Sequence, residues 1–387
     1  MFTTQRTTFS GYSAPPLFER VRRYCLGVDW VLALSAGLLV VLGIAFIATA
    51  ASTSFGAEEG GSFALRQAMY LGLGLVLLLG IQRVDYRMLL QYSPVFYLFC
   101  LVLLVGVFFT KPVNGARCWF NLYFIKLQPS ELMKPALVLT LAYFLTYRES
   151  YKRLSGLAVP LLLAAVPLAL ILKQPQLGTT LSLCPVVVAM LFAAGARKLH
   201  LALLGGIGML GAVGMWCTFM KDYQKLRVYA WLHPEKYSAR EAWQLLQSET
   251  AIGSGGFLGK GYGHAAQGGM NFLPERHTDF IFASVSEEGG FIIAGLVMGL
   301  MLTLALCGLG IAERTREPAG KLIAVGLSVL LAGQAFVNLG VALGVLPTTG
   351  LTLPLVSYGG SALLSNMICV GLLLRVGAQQ PKQGCGF

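Results

Sequence analysis

The chain has 387 residues, 56% of them hydrophobic and only 12% charged, with a formal net charge of +12 and a mean hydropathy of +0.69. Such a composition argues against a soluble globular domain, and cations dispersed among so many apolar runs argue against a nucleic-acid interface. The positive excess suits anionic membrane surfaces and phosphate-bearing ligands.

Residues 1–28 are polar and basic and read as a cytoplasmic N-terminal segment. The first apolar run is too long for a signal-peptide core, so it reads as an uncleaved span. Residues 29–377 read as a single all-α polytopic membrane domain of ten transmembrane helices, with apolar runs at roughly 30–50, 63–81, 91–109, 131–147, 155–173, 178–195, 199–219, 279–312, 320–343 and 359–377. Runs of about 20 apolar residues suffice to cross a bilayer. They must be helical, because lipid offers no partners to an open strand edge. Lys and Arg recur on every second connection, as at Arg83 and Arg87, Arg197 and Lys198, and Arg314 and Arg316. The positive-inside rule therefore puts both termini in the cytoplasm, with residues 378–387 as a cytoplasmic tail. The eight cysteines are scattered and read as small core hydrophobes. The sequence has no Walker loop, nucleophile elbow or metal-ligand spacing.

The polar residues of interest fall on the outer connections. In "NGARCWFNLYFIKLQPSELMKP", residues 114–135, Gln128 to Glu131 form a helix start, and Glu131 and Lys134 share a helical face. Those two also read as a structural salt bridge, and Trp119 as a plain interfacial anchor. "KQPQLGTT", residues 173–180, puts Lys173, Gln174 and Gln176 at an outer turn. The large extracytoplasmic loop, 220–278, lies between helices 7 and 8. It is too rich in Tyr, Trp and Leu for disorder, and 241–252 can form an amphipathic helix with Trp243, Leu246 and Thr250 on one side. The glycine-dense "GSGGFLGKGYGHAAQGG" after it is either flexible or built for close backbone approach.

"FLPERHTDFIFASVSEEGGF", residues 272–291, gathers Glu275, Arg276, His277 and Asp279 at the outer bilayer surface. Thr278 and Asp279 stand where a helix cap belongs, yet four ionisable groups exceed what one cap needs. A carboxylate tuned by a low-dielectric boundary and nearby cations suits a general base. Glu287 and Glu288 lie deeper, about 12 Å along a helix begun at Asp279, as either a functional pair or a helix-tying one. "PTTGLTLPLVSYGGS", residues 347–361, offers Ser357, Tyr358 and several threonines on a connection that reads as re-entrant. Together these constellations suggest one chamber opening outward, suited to a lipid that carries phosphate.

At these motifs, and at "AIGSGGFLGKGYG", the sequence resembles the SEDS family, polytopic bacterial proteins of elongation, division and sporulation typified by RodA and FtsW. The resemblance runs from about residue 28 to 376. It implies a peptidoglycan glycosyltransferase of the bacterial inner membrane that polymerises lipid II, with Asp279 as the essential aspartate and general base and with inversion at the anomeric carbon. The family's outer-loop Trp falls on Trp119 and its helix-start polar residues on Glu131 and Lys134. Arg117, Lys173, Glu275, Arg276, His277, Glu287 and Ser357 are the supporting or substrate-binding candidates. A class B penicillin-binding protein and the elongation machinery are the partners implied. A divalent cation, magnesium or manganese, is a candidate cofactor, although no ligand set in the sequence demands one. Arg276 before His-Thr-Asp leans towards the RodA branch, with an FtsW-like division polymerase as the alternative. Two departures stand out: the usual QPDLGT has Gln176 in place of its carboxylate, and the usual EELG reads Glu287-Glu288-Gly289-Gly290. The rival readings are a lipid II flippase and a non-catalytic scaffold that activates a penicillin-binding protein.

Overall fold

A computed structural model of the chain describes residues 28–55, 57–111, 117–122, 125–147, 154–218, 220–234, 236, 240–264 and 276–379. Glu275, Asn114, the N-terminal segment up to residue 27 and the tail from residue 380 lie outside the described residues. The described chain runs α1 (Trp30–Phe55), α2 (Ala57–Arg83), α3 (Tyr86–Gln91), α4 (Ser93–Gly106), a short hairpin of β1 (Phe120–Leu122) and β2 (Ile125–Leu127), α5 (Pro129–Tyr147), α6 (Ala158–Lys173), α7 (Leu177–Ala194), α8 (Lys198–Thr218), α9 (Asp222–Leu232), α10 (Arg240–Ser254), α11 (Ile281–Arg314), α12 (Pro318–Ala342) and α13 (Gly360–Ala378).

Among the described residues, seven helices are long and apolar enough to cross a membrane, and Ser93–Phe109 and Ala158–Lys173 are shorter apolar helices. With α5, whose first turns carry the buried Glu131 and Lys134, these are the elements expected at the ten apolar runs. The chain is a multi-pass membrane protein. α5, α12 and α13 are the most enclosed, and α8 lies at the periphery with only His200 buried.

Close helix contact relies on small residues, as it does in bilayers where no hydrophobic force pulls helices together. A Cβ at Gly326 of α12 would meet Val138 of α5 at 2.7 Å and Met190 of α7 at 2.8 Å. Polar seams add direction. On α2, Gln82 Nε2 donates to Gly371 O of α13 at 2.7 Å, and Arg375 Nε of α13 donates to Val84 O at 2.8 Å. At the end read as cytoplasmic, Arg87 pairs with Glu317 at 3.0 Å, and the Tyr86 hydroxyl bonds the same carboxylate. Burial, followed by that carboxylate, pushes the Tyr86 phenol well above its ordinary range.

The long helix α11 is broken. Gly290 has φ 66° and ψ −168°, a conformation open only to glycine. The break frees backbone groups that membrane depth would leave unsatisfied, and the glycine-rich segment after α10 supplies their partners. Lys260 N donates to Glu287 O at 3.0 Å and Gly261 N to Glu288 O at 3.1 Å, while Phe291 N donates to Gly256 O at 3.0 Å. A Cβ at Gly259 would stand 2.6 Å from Gly290 N. Of the two readings of that segment, close backbone approach is the one its described part, 253–264, takes. The approach is to the chain's own helix.

Candidate active site

The connection between α12 and α13 is the hub on which the outer constellations converge. It is buried from Leu353 to Ser357 and folds on itself: Ser357 Oγ accepts from Leu353 N at 2.8 Å, and Ser357 N donates to Leu353 O at 3.0 Å. Leu355 sits at φ 64°, a strained position for a side chain with a Cβ, held only where the surroundings over-determine it. A Cβ at Gly43 of α1 would meet Val356 O at 2.6 Å, so α1 backs this segment directly.

Asp279 meets the hub at Gly350. It is half-buried in the turn 276–280. A Cβ added at Gly350, itself at φ 72°, would stand 3.7 Å from its Oδ2. Asn338 Nδ2 on α12 donates both to Asp279 O at 2.8 Å and to Leu351 O at 2.6 Å, fixing turn and connection to each other. The helix begins at Ile281, and its N-cap position is Phe280, whose side chain makes no capping bond. Long-range bonds hold the turn before it. The helix start also brings Glu287 nearer to its first residue, about 9 Å along the axis.

Those bonds are mostly charged and buried. Arg276 Nη2 pairs with Glu287 Oε2 at 2.5 Å, both side chains fully enclosed, and Arg276 Nε donates to Ser284 Oγ at 2.6 Å. Lys260 Nζ reaches the other oxygen of Glu287 at 2.8 Å. Glu288 Oε2 accepts from Gly263 N at 2.9 Å. Glu287 is thus a node that ties the turn, the broken helix and the glycine-rich segment together. His277 completes the other side: its ring lies 5.1 Å from Phe63 and 5.6 Å from Tyr358, and Tyr358 N donates to His277 O at 3.0 Å.

The start of α5 meets the first turns of α13, just past the connection. Ser361 Oγ accepts from Gln128 N at 3.0 Å and donates to Lys126 O at 2.7 Å, while Ser365 Oγ donates to Glu131 O at 2.8 Å. Glu131 and Lys134 form a buried ion pair of 2.6 Å, and Glu131 Oε2 has no bonding partner. Trp119 is half-buried just before β1. Arg117 is exposed and donates to Phe108 O at 2.8 Å, and Lys173 is exposed at the end of α6. The start of α7 closes the ring. A Cβ at Gly178 would lie 2.7 Å from both Thr349 O and Leu351 Cγ, and Ser130 Oγ donates to Gln176 Oε1 at 2.7 Å. An amide oxygen at 176 thus accepts the hydroxyl that a carboxylate would.

The structure therefore joins Asp279, Arg276, His277, Glu287 and Ser357 around one connection, ties Glu131 with its partner Lys134 to α13 just beyond it, and leaves Arg117 and Lys173 at the edge. Three contributors escaped the sequence reading. Asn338 was detectable as a lone amide inside an apolar run. Lys260 was hidden among glycines. Arg227 of α9 places Nη1 3.5 Å from Thr348 O and makes no ion pair among the described residues. α9 and α10 themselves cap the outer end of α12: Trp231 Nε1 donates to Gly344 O at 2.8 Å and Ser248 Oγ to Ala342 O at 2.8 Å. Such bonds satisfy carbonyls a helix end leaves open. As expected, Trp243, Leu246 and Thr250 share the exposed face of α10. Among the described residues, no group of three or more His, Cys, Asp or Glu side chains stands together as metal ligands do.

Comparison with known proteins matches residues 29–382 to the FtsW/RodA/SpoVE family of cell cycle proteins. A probable peptidoglycan glycosyltransferase FtsW of Geobacter metallireducens is 37% identical over 365 residues, 92% of this chain and 96% of that protein. The peptidoglycan glycosyltransferase MrdB of Escherichia coli K12 is 36% identical over 315 residues, 80% of this chain and 84% of that protein. A chain from a peptidoglycan synthase complex, solved for its coordination of polymerization and crosslinking, superposes with a TM-score of 0.78 at 33% identity, covering 90% of this chain and 97% of that one.

Proposed function

The chain belongs to the FtsW/RodA/SpoVE family, and from that premise we propose that it is a peptidoglycan glycosyltransferase that polymerises lipid II at the outer face of the inner membrane, with Asp279 as general base. The observation that carries the reading is the meeting of Asp279 with the 347–359 connection. The start of α7 at Gly178 and the His277 carbonyl touch that connection too, and 126–131 bonds Ser361 and Ser365 just beyond it, in the first turns of α13.

In the reaction, the 4-hydroxyl oxygen of the acceptor sugar attacks the anomeric carbon of the donor. A carbon–oxygen bond forms there as the bond to the undecaprenyl diphosphate breaks, and the diphosphate leaves with the electron pair. The hydroxyl proton passes to the Asp279 carboxylate. One displacement inverts the anomeric centre. Negative charge grows on the leaving diphosphate and calls for cations shielded from water. Arg227, over the Thr348 carbonyl, stands against the connection without an ion pair among the described residues, whereas Lys134 is already paired with Glu131. Arg276 is already spent on Glu287, which makes it a positioning residue for the turn that carries Asp279. Trp119 and Ser357 are supporting residues, and a class B penicillin-binding protein is the crosslinking partner.

Arg276 before His-Thr-Asp supports assignment to the elongation branch, although relatives carrying division and elongation names match at similar identity. The transport reading is weakened by Glu287 and Glu288. Glu287 is held through both oxygens by Arg276 and Lys260 and Glu288 through one by Gly263 N, so both serve to tie the broken helix to the glycine-rich segment. The test is polymerisation of purified lipid II in detergent micelles, with the partner synthase present. Micelles have no second leaflet, so a polymerase makes glycan chains there. A lipid carrier makes none, and that result would send the reading to the flippase.

A further inference from the structure

Arg66 is an arginine in the wrong place for a structural residue. It lies on α2, inside the span Gly60–Arg83, and it is exposed. Seventeen residues separate it from Arg83, or about 25 Å of helix. In a hydrocarbon core of about 30 Å that depth is the outer boundary, where lipid phosphates sit. A charged group on a lipid-facing surface is costly and calls for a counter-charge. Among the described residues no carboxylate pairs with Arg66. Its guanidinium is nonetheless placed among aromatic rings: it stands 6.0 Å from the Phe63 ring centroid and beside the Tyr358 side chain.

Those two aromatic rings belong to the wall of the candidate site. Phe63 packs on Tyr358 at 5.0 Å, and both pack on His277. Next to Arg66, Gln67 is buried and binds both ends of the Tyr358 turn, donating to Ser357 O at 3.3 Å and accepting from Gly359 N at 3.3 Å. His277 is two residues from Asp279, at most about 7 Å along the chain. Below Arg66 on the same helical face, Met69, Leu73 and Val76 are 61%, 41% and 66% exposed, an apolar stripe at helical spacing. A cation at phosphate depth, above an apolar stripe and against the wall of the site, has the form of a seat for a lipid that carries its charge next to its chain.

We infer that Arg66 binds the diphosphate of a polyprenyl-diphosphate sugar entering from the bilayer, with the isoprenoid chain lying along Met69, Leu73 and Val76 of α2. The inference rests on the glycosyltransferase reading for its choice of lipid. Arginine suits this ligand because its planar fork takes two phosphate oxygens at once. A diphosphate offers such oxygens on both of its phosphorus atoms. An ordinary phospholipid offers a single phosphodiester.

The test uses the full chain in phosphatidylcholine nanodiscs, with undecaprenyl diphosphate and undecaprenol as probes and phosphatidylglycerol as competitor. Arg66→Gln should weaken diphosphate binding about tenfold, the scale of one charge-assisted hydrogen-bonded contact, and leave undecaprenol binding unchanged. In polymerisation it should raise KM and spare kcat. Arg66→Lys should fall between, keeping the charge and losing the fork, and it carries the comparison if Arg66→Gln does not fold. Equal diphosphate binding by wild type and variants overturns the inference. So does competition by phosphatidylglycerol as strong as by the diphosphate, which would make Arg66 a general headgroup anchor. If wild type binds the diphosphate through Arg66 yet makes no glycan, the glycosyltransferase reading fails and this site stands.

Discussion

Gly178→Ala tests whether the start of α7 and the 347–359 connection are parts of one site. The added Cβ would stand 2.7 Å from Thr349 O and 2.7 Å from Leu351 Cγ. Comfortable carbon contacts lie at about 3.5–4.0 Å, so one side must yield by roughly 0.8 Å. Gly178 is buried at the first turn of its helix, so the connection is the side free to move. The displaced residues flank Gly350, whose position is set against Asp279 Oδ2, and Leu351, whose carbonyl is held by Asn338. Overpacking of this kind costs about 1–3 kcal/mol, and a displacement near 1 Å at reacting groups costs on the order of 100-fold in rate. The assay is lipid II polymerisation by the purified chain with its partner synthase, alongside thermal unfolding in the same detergent. Gly205→Ala is the control, because a Cβ there meets nothing within 4 Å. We expect Gly178→Ala to lose about 100-fold in kcat with a modest fall in Tm, and Gly205→Ala to match wild type. Full activity in Gly178→Ala with an unchanged Tm would refute the reasoning, since the clash would then have been absorbed away from the site.

Glu287→Gln leaves the enclosed Arg276 without its counter-charge and should destabilise the fold by about 3–5 kcal/mol. The paired change Arg276→Met with Glu287→Met should recover much of that loss, as read by unfolding of the purified protein in detergent. Asn338→Ala strands the carbonyls of Asp279 and Leu351 and should cost about 1–3 kcal/mol; a Tm equal to wild type would mean those carbonyls find other donors. Arg227→Gln should lower kcat in polymerisation assays and leave Tm close to that of wild type, given that the guanidinium makes no ion pair among the described residues. A matching fall in Tm would instead mark it as structural.

Much of the architecture was legible because bilayer physics leaves few options: long apolar runs must be helices, and a polar group within them must have a reason. Hence Asp279, Glu287 and the Glu131–Lys134 pair could be singled out, and the spacing of three placed that pair correctly. Partners distant in sequence were not legible. Nothing in "GFLGKGYG" says that its amides will satisfy a broken helix about 30 residues later, or that Lys260 will share Glu287 with Arg276. The helix start was placed at Asp279 because the apolar run begins there, but the helix starts two residues later, at Ile281, after a turn bonded to Asn338, Glu287 and Tyr358. In the 220–278 stretch only one helix was expected. α9 passed unnoticed because Asp222, Lys225 and Arg227 look like the residues of a solvated loop, while Trp231 docks it on α12.

The most direct measurement is a comparison of wild type, Asp279→Asn and Asp279→Glu in lipid II polymerisation, each matched for Tm and for lipid II binding. The expected result is that Asp279→Asn binds lipid II as wild type does and makes no glycan. Asp279→Glu, a base displaced by one methylene, should retain a small fraction of the rate. Glycan synthesis by Asp279→Asn at the wild-type rate would contradict the account.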